Sequence, residues 1–167
     1  PENLEEAEEG PTCIICLDDS PPPIQSGCGC RGEMGLAHVG CRAEAAKRSD
    51  EWDDWCTCGT CGQRFTGAME LGLAMEWARS TGGRPEGDDE RLAALMNLAT
   101  ALDNEGKHAE AEEIYRKMLA VQKRVLGKDH FNTLMTASNL PITLKKQGKH
   151  AEAEEMFRET LAVQKRV

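Results

Sequence analysis

The sequence predicts two units of different kinds, a small metal-stabilised α+β finger followed by an all-α solenoid of helix–turn–helix repeats. Three observations predict them. Seven of the eight cysteines, together with His38, form four close pairs between Cys13 and Cys61. A block in the second half recurs 42 residues later. Between the two regions, Thr81-Gly82-Gly83-Arg84-Pro85-Glu86-Gly87 gathers the residues that break helices.

Bulk composition sets the bounds. A chain of 167 residues suits one medium domain or two small ones. Only 4% of residues are aromatic and mean hydropathy is −0.54, which argues against a single large apolar core. The formal charge is −9, and Glu2, Glu5, Glu6, Glu8 and Glu9 make an acidic lead over residues 1–10. That lead reads as a solvated, disordered tail, and so acidic a surface repels phosphate backbones, excluding a nucleic-acid binder. No apolar run approaches the ~18 residues that span a bilayer. A soluble, intracellular protein is expected, cytoplasmic first and nuclear second. The sequence opens on Pro1 rather than Met and stops at Val167, the end of a repeated helix, so a fragment of a longer chain is expected.

The paired residues run Cys13-x2-Cys16, Cys28-x-Cys30, His38-x2-Cys41 and Cys58-x2-Cys61. A Cys-x-x-Cys hairpin places two thiolates on one tetrahedral edge of a zinc ion. Four pairs supply the ligands of two closed tetrahedral Zn2+ sites, which are structural because no position stays open for water or substrate. A disulfide framework is the competing reading and suits a secreted mini-domain. The histidine among the pairs, and the lack of a signal-peptide pattern, favour metal. Metal then replaces the core that about 50 residues with few aromatics cannot build. Cys56 is left over; it is an alternative to Cys58, although Cys56-x4-Cys61 is poor hairpin spacing.

The ligand order, four Cys, one His, three Cys, resembles the RING-CH (RING-variant) fingers of ubiquitin ligases over roughly residues 11–68. The gap in Cys28-Gly29-Cys30, the seven residues between Cys30 and His38, Gly32 after Cys30-Arg31, and Phe65 after Cys61-Gly62-Gln63-Arg64 all match that family. The resemblance implies a RING-like finger over 11–66 with two interleaved zinc sites. Cys13, Cys16, His38 and Cys41 would hold one ion; Cys28, Cys30, Cys58 and Cys61 would hold the other. It also implies a ubiquitin-conjugating enzyme as partner, held in an attack-ready pose by positioning rather than by covalent catalysis. The docking groove would take Ile14, Ile15, Leu17, Gly59 and Thr60, with Trp55 or Trp52 replacing a tryptophan that the family carries where this chain has Ala45. Packing of the finger is the plainer role for Ile14, Ile15 and Leu17. Gly62 stands where many active fingers carry a cation, with Arg64 two residues on. PHD fingers, which read histone tails, share the ligand order but differ in these gaps. A non-catalytic zinc-stabilised scaffold is the alternative to a ligase. A zinc hydrolase is remote, because every ligand is committed.

Residues 67–80 place Met69, Leu73 and Trp77 at i, i+4 and i+8 of a connecting helix, a face for a partner or for packing. Residues 81–89 are the linker. From 90 to 167 the chain holds two 42-residue units, with 20 identities in 34 between 92–125 and 134–167. Leu92, Leu95, Leu98, Ala99 and Leu102 stripe the first helix, Gly106 stops it, and Ala111, Tyr115, Met118 and Leu119 stripe the second. These units resemble tetratricopeptide repeats, and the Leu-Gly-Lys-Asp-His-x-Asn-Thr linker resembles the kinesin-light-chain type. The resemblance implies a client protein or peptide on the concave side, with Asn97 and Asn139 as clamps. Lys107, His108, Lys149 and His150 read as solvated turn residues. Pro141, at the place of Ala99, costs a helix about 3 kcal/mol, so the second unit's first helix is expected to kink or begin late. Two units fall below the ~3 that a solenoid needs, so further repeats are expected beyond Val167.

Overall fold

The computed structural model describes residues 10–49 and 51–165, so the acidic lead up to residue 9 lies outside the described residues. Two compact units emerge, residues 1–73 and 74–167. In the first, strands β1 (Ile24–Gln25) and β2 (Leu36–Ala37) pair antiparallel, Ile24 opposite Ala37, and helix α1 (Val39–Lys47) follows directly. Such short elements bury little. The core holds Ala37, Ala43, Ala46, Trp55 and Phe65, with the Arg42 guanidinium 5.7 Å from the Phe65 ring centroid. One clamp depends on glycine. Gly27 has φ +67, and a Cβ there would sit 2.7 Å from the Thr66 carbonyl oxygen. The Thr66 hydroxyl donates to the Gly27 carbonyl at 2.9 Å, tying the segment after Phe65 to the loop that carries Cys28 and Cys30.

Helix α2 (Gly67–Ser80) contains the division between the units, upstream of the Gly/Pro-rich segment. Met69 and Leu73 are buried in the first unit and Trp77 in the second, so this stripe is packing surface and not a free face. The second unit continues with α3 (Asp89–Asn104), α4 (His108–Val125), α5 (Phe131–Lys146) and α6 (His150–Gln164), each packed on the next. The Asp88 carboxylate caps α3 by accepting from the Arg91 N–H at 3.0 Å, and His130 Nδ1 caps α5 through the Asn132 N–H at 3.2 Å. Both repeats turn alike. Gly106 and Gly148 adopt φ +78 and +79, and the next N–H reaches back to Leu102 or Leu144 at 2.9 Å. No helix among the described residues is long and apolar enough to cross a membrane.

The turn residues divide. Lys107 and His150 are exposed, but His108 and Lys149 are not merely solvated, which corrects the expectation for those two. His108 Nδ1 lies 2.7 Å from Asp103, which also accepts from Lys146 at 2.6 Å. Lys149 and Gln147 reach Glu112 at 2.6 and 2.8 Å, and Arg116 bridges Glu112 to Glu152. Charge therefore stitches one repeat to the other. Burial pushes the Glu112 carboxyl up, but hydrogen bonds from Lys149, Arg116 and Gln147 outweigh it and hold it at about 2 against an ordinary 4.5.

Helix α5 answers one of the two expectations for Pro141. It starts at Phe131 and continues through the buried Pro141 to Lys146, so it does not begin late. Proline leaves the carbonyl four residues back without its N–H donor. That carbonyl is Ala137; the buried Thr160 hydroxyl on α6, whose shorter bond goes to the Met156 carbonyl at 2.9 Å, lies 3.4 Å from it. At the offset of 42, Ala99 and Met118 become Pro141 and Thr160, so the proline and the hydroxyl nearest its orphaned carbonyl change together. The same holds for Thr100 and Tyr115, whose hydroxyls lie 3.1 Å apart and which become Ile142 and Phe157, both hydroxyls gone.

Thr160→Val removes that hydroxyl and should destabilise the repeats by about 1 kcal/mol in urea unfolding. The loss should shrink when Pro141→Ala restores the N–H, a coupling read directly from the double-mutant cycle. The Glu112 seam has its own signature. Its folded pKa is depressed, so its stabilisation is present above about 4.5 and is lost as pH falls towards about 2. Protection factors of the α4 and α5 amides, corrected for the intrinsic exchange rate at each pH, should fall over that interval in the wild type, and less in Glu112→Gln.

Candidate metal centre

Each knuckle is built by the same backbone arrangement. In the first, the Cys13 N–H donates to the Asp18 carbonyl at 2.9 Å and the Leu17 N–H to the Cys13 carbonyl at 2.8 Å. In the second, the Cys58 N–H donates to Gln63 and the Gly62 N–H to Cys58, both at 2.8 Å. The residue four after the leading cysteine has positive φ in both, 63 at Leu17 and 69 at Gly62. The Ile14 N–H bonds the Leu36 carbonyl at 3.0 Å, fastening the first knuckle to β2. His38 then follows the strand as the N-cap of α1, and Cys41 stands in the first turn of that helix. Cys28 and Cys30 lie on the β1–β2 connection, and the Thr57–Arg64 bridge brackets the second knuckle.

Folding brings the pairs together in alternation. Cys13, Cys16, His38 and Cys41 converge at one place and Cys28, Cys30, Cys58 and Cys61 at another, with ligand atoms within 4.8 Å of one another in each cluster. The edges can be tested against an ion. Bonds of about 2.3 Å to sulfur and 2.0 Å to nitrogen imply tetrahedral edges of about 3.8 Å for S···S and 3.6 Å for S···N. Cys30 and Cys58 sulfurs are 3.8 Å apart, and His38 Nδ1 is 3.4 and 3.6 Å from the Cys16 and Cys41 sulfurs. Each cluster therefore fits one metal ion, with a geometry that suits zinc. His38 Nε2 faces the Pro21 carbonyl, which can only accept. That contact places the proton on Nε2 and turns the Nδ1 lone pair to the cluster.

The thiols divide electrostatically. Burial raises the Cys13 thiol, but the N–H groups of Cys16, His38 and Ile15 outweigh it and bring it to about 6. Cys58 is likewise lowered to about 6, against burial, by the N–H groups of Cys61 and Thr60. Burial and neighbouring thiols push Cys30 and Cys41 to about 12. The crowded thiols, three in one cluster and four in the other, cannot all ionise alone; a divalent cation among them would remove the repulsion and take the thiolate form of each.

Of the docking residues expected from the sequence, Ile15 is 41% and Leu17 76% exposed, Ile14 is half-buried, and Gly59 and Thr60 are exposed. Trp55 is 6% exposed and turned into the core, whereas Trp52 is 45% exposed. Cys56 joins neither cluster. In the repeats, both asparagines are half-buried and engaged: Asn97 Nδ2 donates to the Ala93 carbonyl at 3.0 Å, and Asn139 Nδ2 reaches Met96 Sδ at 3.5 Å. Sequence reasoning missed the Pro21 carbonyl and the equivalence of Leu17 with Gly62. The second was readable, since both follow Cys-x2-Cys directly.

A tetratricopeptide-repeat family model matches residues 90–166. Those residues are tetratricopeptide repeats. Two crystal structures from Podosopora anserina resemble the chain, both of nearly identical tetratricopeptide-like repeats assigned to a kinesin light chain, one with a Gln-to-Met substitution. Each superposes at TM-score 0.55 with 20% identity over 75% of this chain, a likeness of fold. The chain spans about half the length of those proteins, 54% and 55%. No curated protein matches.

Chelation separates the two units. A strong chelator should release two metal ions per chain, counted by a colorimetric indicator, and abolish the dispersed NMR signals of residues 13–66. Far-UV helicity from the tetratricopeptide repeats should persist.

Proposed function

We propose that the chain is a zinc-dependent ubiquitin–protein ligase of RING-CH type, which docks a conjugating enzyme on the finger and recruits a client through the tetratricopeptide repeats. The supporting observation is Leu17. It holds a left-handed backbone conformation that costs a branched residue about 1 kcal/mol or more, while its twin Gly62 holds the same conformation freely. Its side chain is 76% exposed, so no packing offsets that cost. An apolar residue strained and presented to solvent is explained by a partner that buries it. Ile15, in the same knuckle, extends the apolar contact, and Gly59 and Thr60 border it in the family's scheme. Two Zn2+ ions hold the platform and take no part in chemistry; the finger acts by positioning the charged enzyme. The intracellular setting, cytoplasmic or nuclear, follows from such partners.

A second reading, a zinc-stabilised scaffold without ligase activity, draws on two observations. Trp55 is buried, and Ala45 is an exposed small residue where the family has a groove-wall tryptophan.

Autoubiquitination by the zinc-loaded chain against a panel of conjugating enzymes tests both. Wild type should be active; Ile15→Ala and Leu17→Asn should lose at least about tenfold, and Cys58→Ser should be inactive. Asn tolerates the left-handed conformation, so Leu17→Asn should keep the stability of the finger while losing activity. Inactivity with every enzyme, in a chain shown to hold two zinc ions, sinks the ligase and leaves the scaffold.

A further inference from the structure

A cavity of 340 Å³ lies among α4, α5 and α6, walled by Leu119, Ala137, Met156 and Val163. The offset of 42 explains why it exists. Leu119, Ala137 and Thr160 on its lining correspond to Trp77, Leu95 and Met118, each larger, with Trp77 and Met118 both 2% exposed. The second repeat lacks the bulk that the first one carries. The pocket is half open to solvent, and one polar group stands out on its wall. Thr133 lines it, is 1% exposed, and its hydroxyl has no hydrogen-bond partner among the described residues. A buried hydroxyl left unpaired is destabilising.

The polar groups on the lining are cationic on balance. Thr133 stands in the first turn of the 16-residue α5, where the helix dipole is positive. Lys123 and Lys128 share the wall and have no carboxylate partner among the described residues. Glu159 also lines the cavity, so the side chains leave one net positive charge, which favours a monoanion over a dianion. We propose that this cavity binds a small apolar monocarboxylate. Its hydrocarbon body lies among Leu119, Ala137, Met156 and Val163, and its carboxylate accepts from the Thr133 hydroxyl and the Lys123 and Lys128 ammonium groups. A free aliphatic acid and the C-terminal residue of an apolar-ended peptide share this chemistry. The site is independent of the metal clusters and of ligase activity.

The test titrates octanoate into the full zinc-loaded chain and follows the methyl signals of Leu119, Leu134 and Val163. Saturable shifts are expected with Kd below about 1 mM, and 1-octanol should bind at least about tenfold more weakly. Thr133→Val should weaken octanoate about tenfold. Ala137→Leu, which restores the residue found at position 95, should raise Tm and abolish binding. An acetylated tetrapeptide with a free C-terminal leucine is run beside its amide. If the acid binds more tightly than octanoate, the natural source is a chain terminus; if octanoate binds more tightly, it is a free acid. Shifts that fail to saturate, or that persist unchanged in both variants, overturn the proposal.

Discussion

Alternation of the ligand pairs constrains everything in the first unit. Each cluster draws two pairs from segments separated by a pair of the other, so neither closes until the chain has returned past its neighbour. Eight ligand atoms thereby tie together stretches that two-residue strands and a 9-residue helix could not hold. The magnitudes decide which term dominates. A structural zinc site contributes about 10–16 kcal/mol in small peptides of this kind, whereas a buried Phe65 contributes about 1.5–3. With an ion in each cluster, the metal bonds would outweigh the apolar core. The N–H groups that lower Cys13 and Cys58 serve the same end, because they pre-form the thiolate that an ion takes.

The finger also shows where the chain tolerates strain. Two knuckles of one geometry differ at the residue that must turn left-handed, glycine in one and Leu17 in the other. Were the fold alone at stake, the glycine solution would serve twice. Leucine at that position departs from local preference in conformation and in exposure at once, and such departures concentrate at functional sites. Trp55 shows the converse. Its place in the sequence beside the last cysteine pair suggests a groove wall, but a short 3-10 turn over Trp52–Trp55 carries it inward and leaves Trp52 outside. Which of two tryptophans three apart faces solvent depends on that turn, and period-3.6 patterning does not register it.

Much of the architecture was legible because it rests on spacing. Cysteine pairs with fixed gaps and a 42-residue self-repeat survive without knowledge of any contact. What escaped was tertiary. Pro141 reads as a break when helix α5 is considered alone; the structure shows a hydroxyl from another helix at the orphaned carbonyl. His108 and Lys149 read as solvated because turns usually are, yet His108 meets Asp103, which Lys146 reaches from 43 residues away, and Lys149 meets Glu112 across 37 residues, in one charged seam.

A repeated sequence nonetheless carries more than one copy would. Positions that change together between copies mark contacts: Ala99 and Met118 with Pro141 and Thr160, Thr100 and Tyr115 with Ile142 and Phe157. In one pair a hydroxyl arrives near the carbonyl that loses its donor, and in the other two hydroxyls are lost at once. Positions that change without such an answer mark something else. Leu95 becomes Ala137 and Arg91 becomes Thr133, and no larger side chain or new partner replaces the lost volume or meets the new hydroxyl. Arg91 reaches the Arg84 carbonyl across the preceding linker, whereas the shorter Thr133 is buried without a bond. A half-open apolar pocket and a buried hydroxyl without a partner among the described residues thus stand side by side near Lys123 and Lys128, the arrangement that a ligand supplying volume and an acceptor would complete.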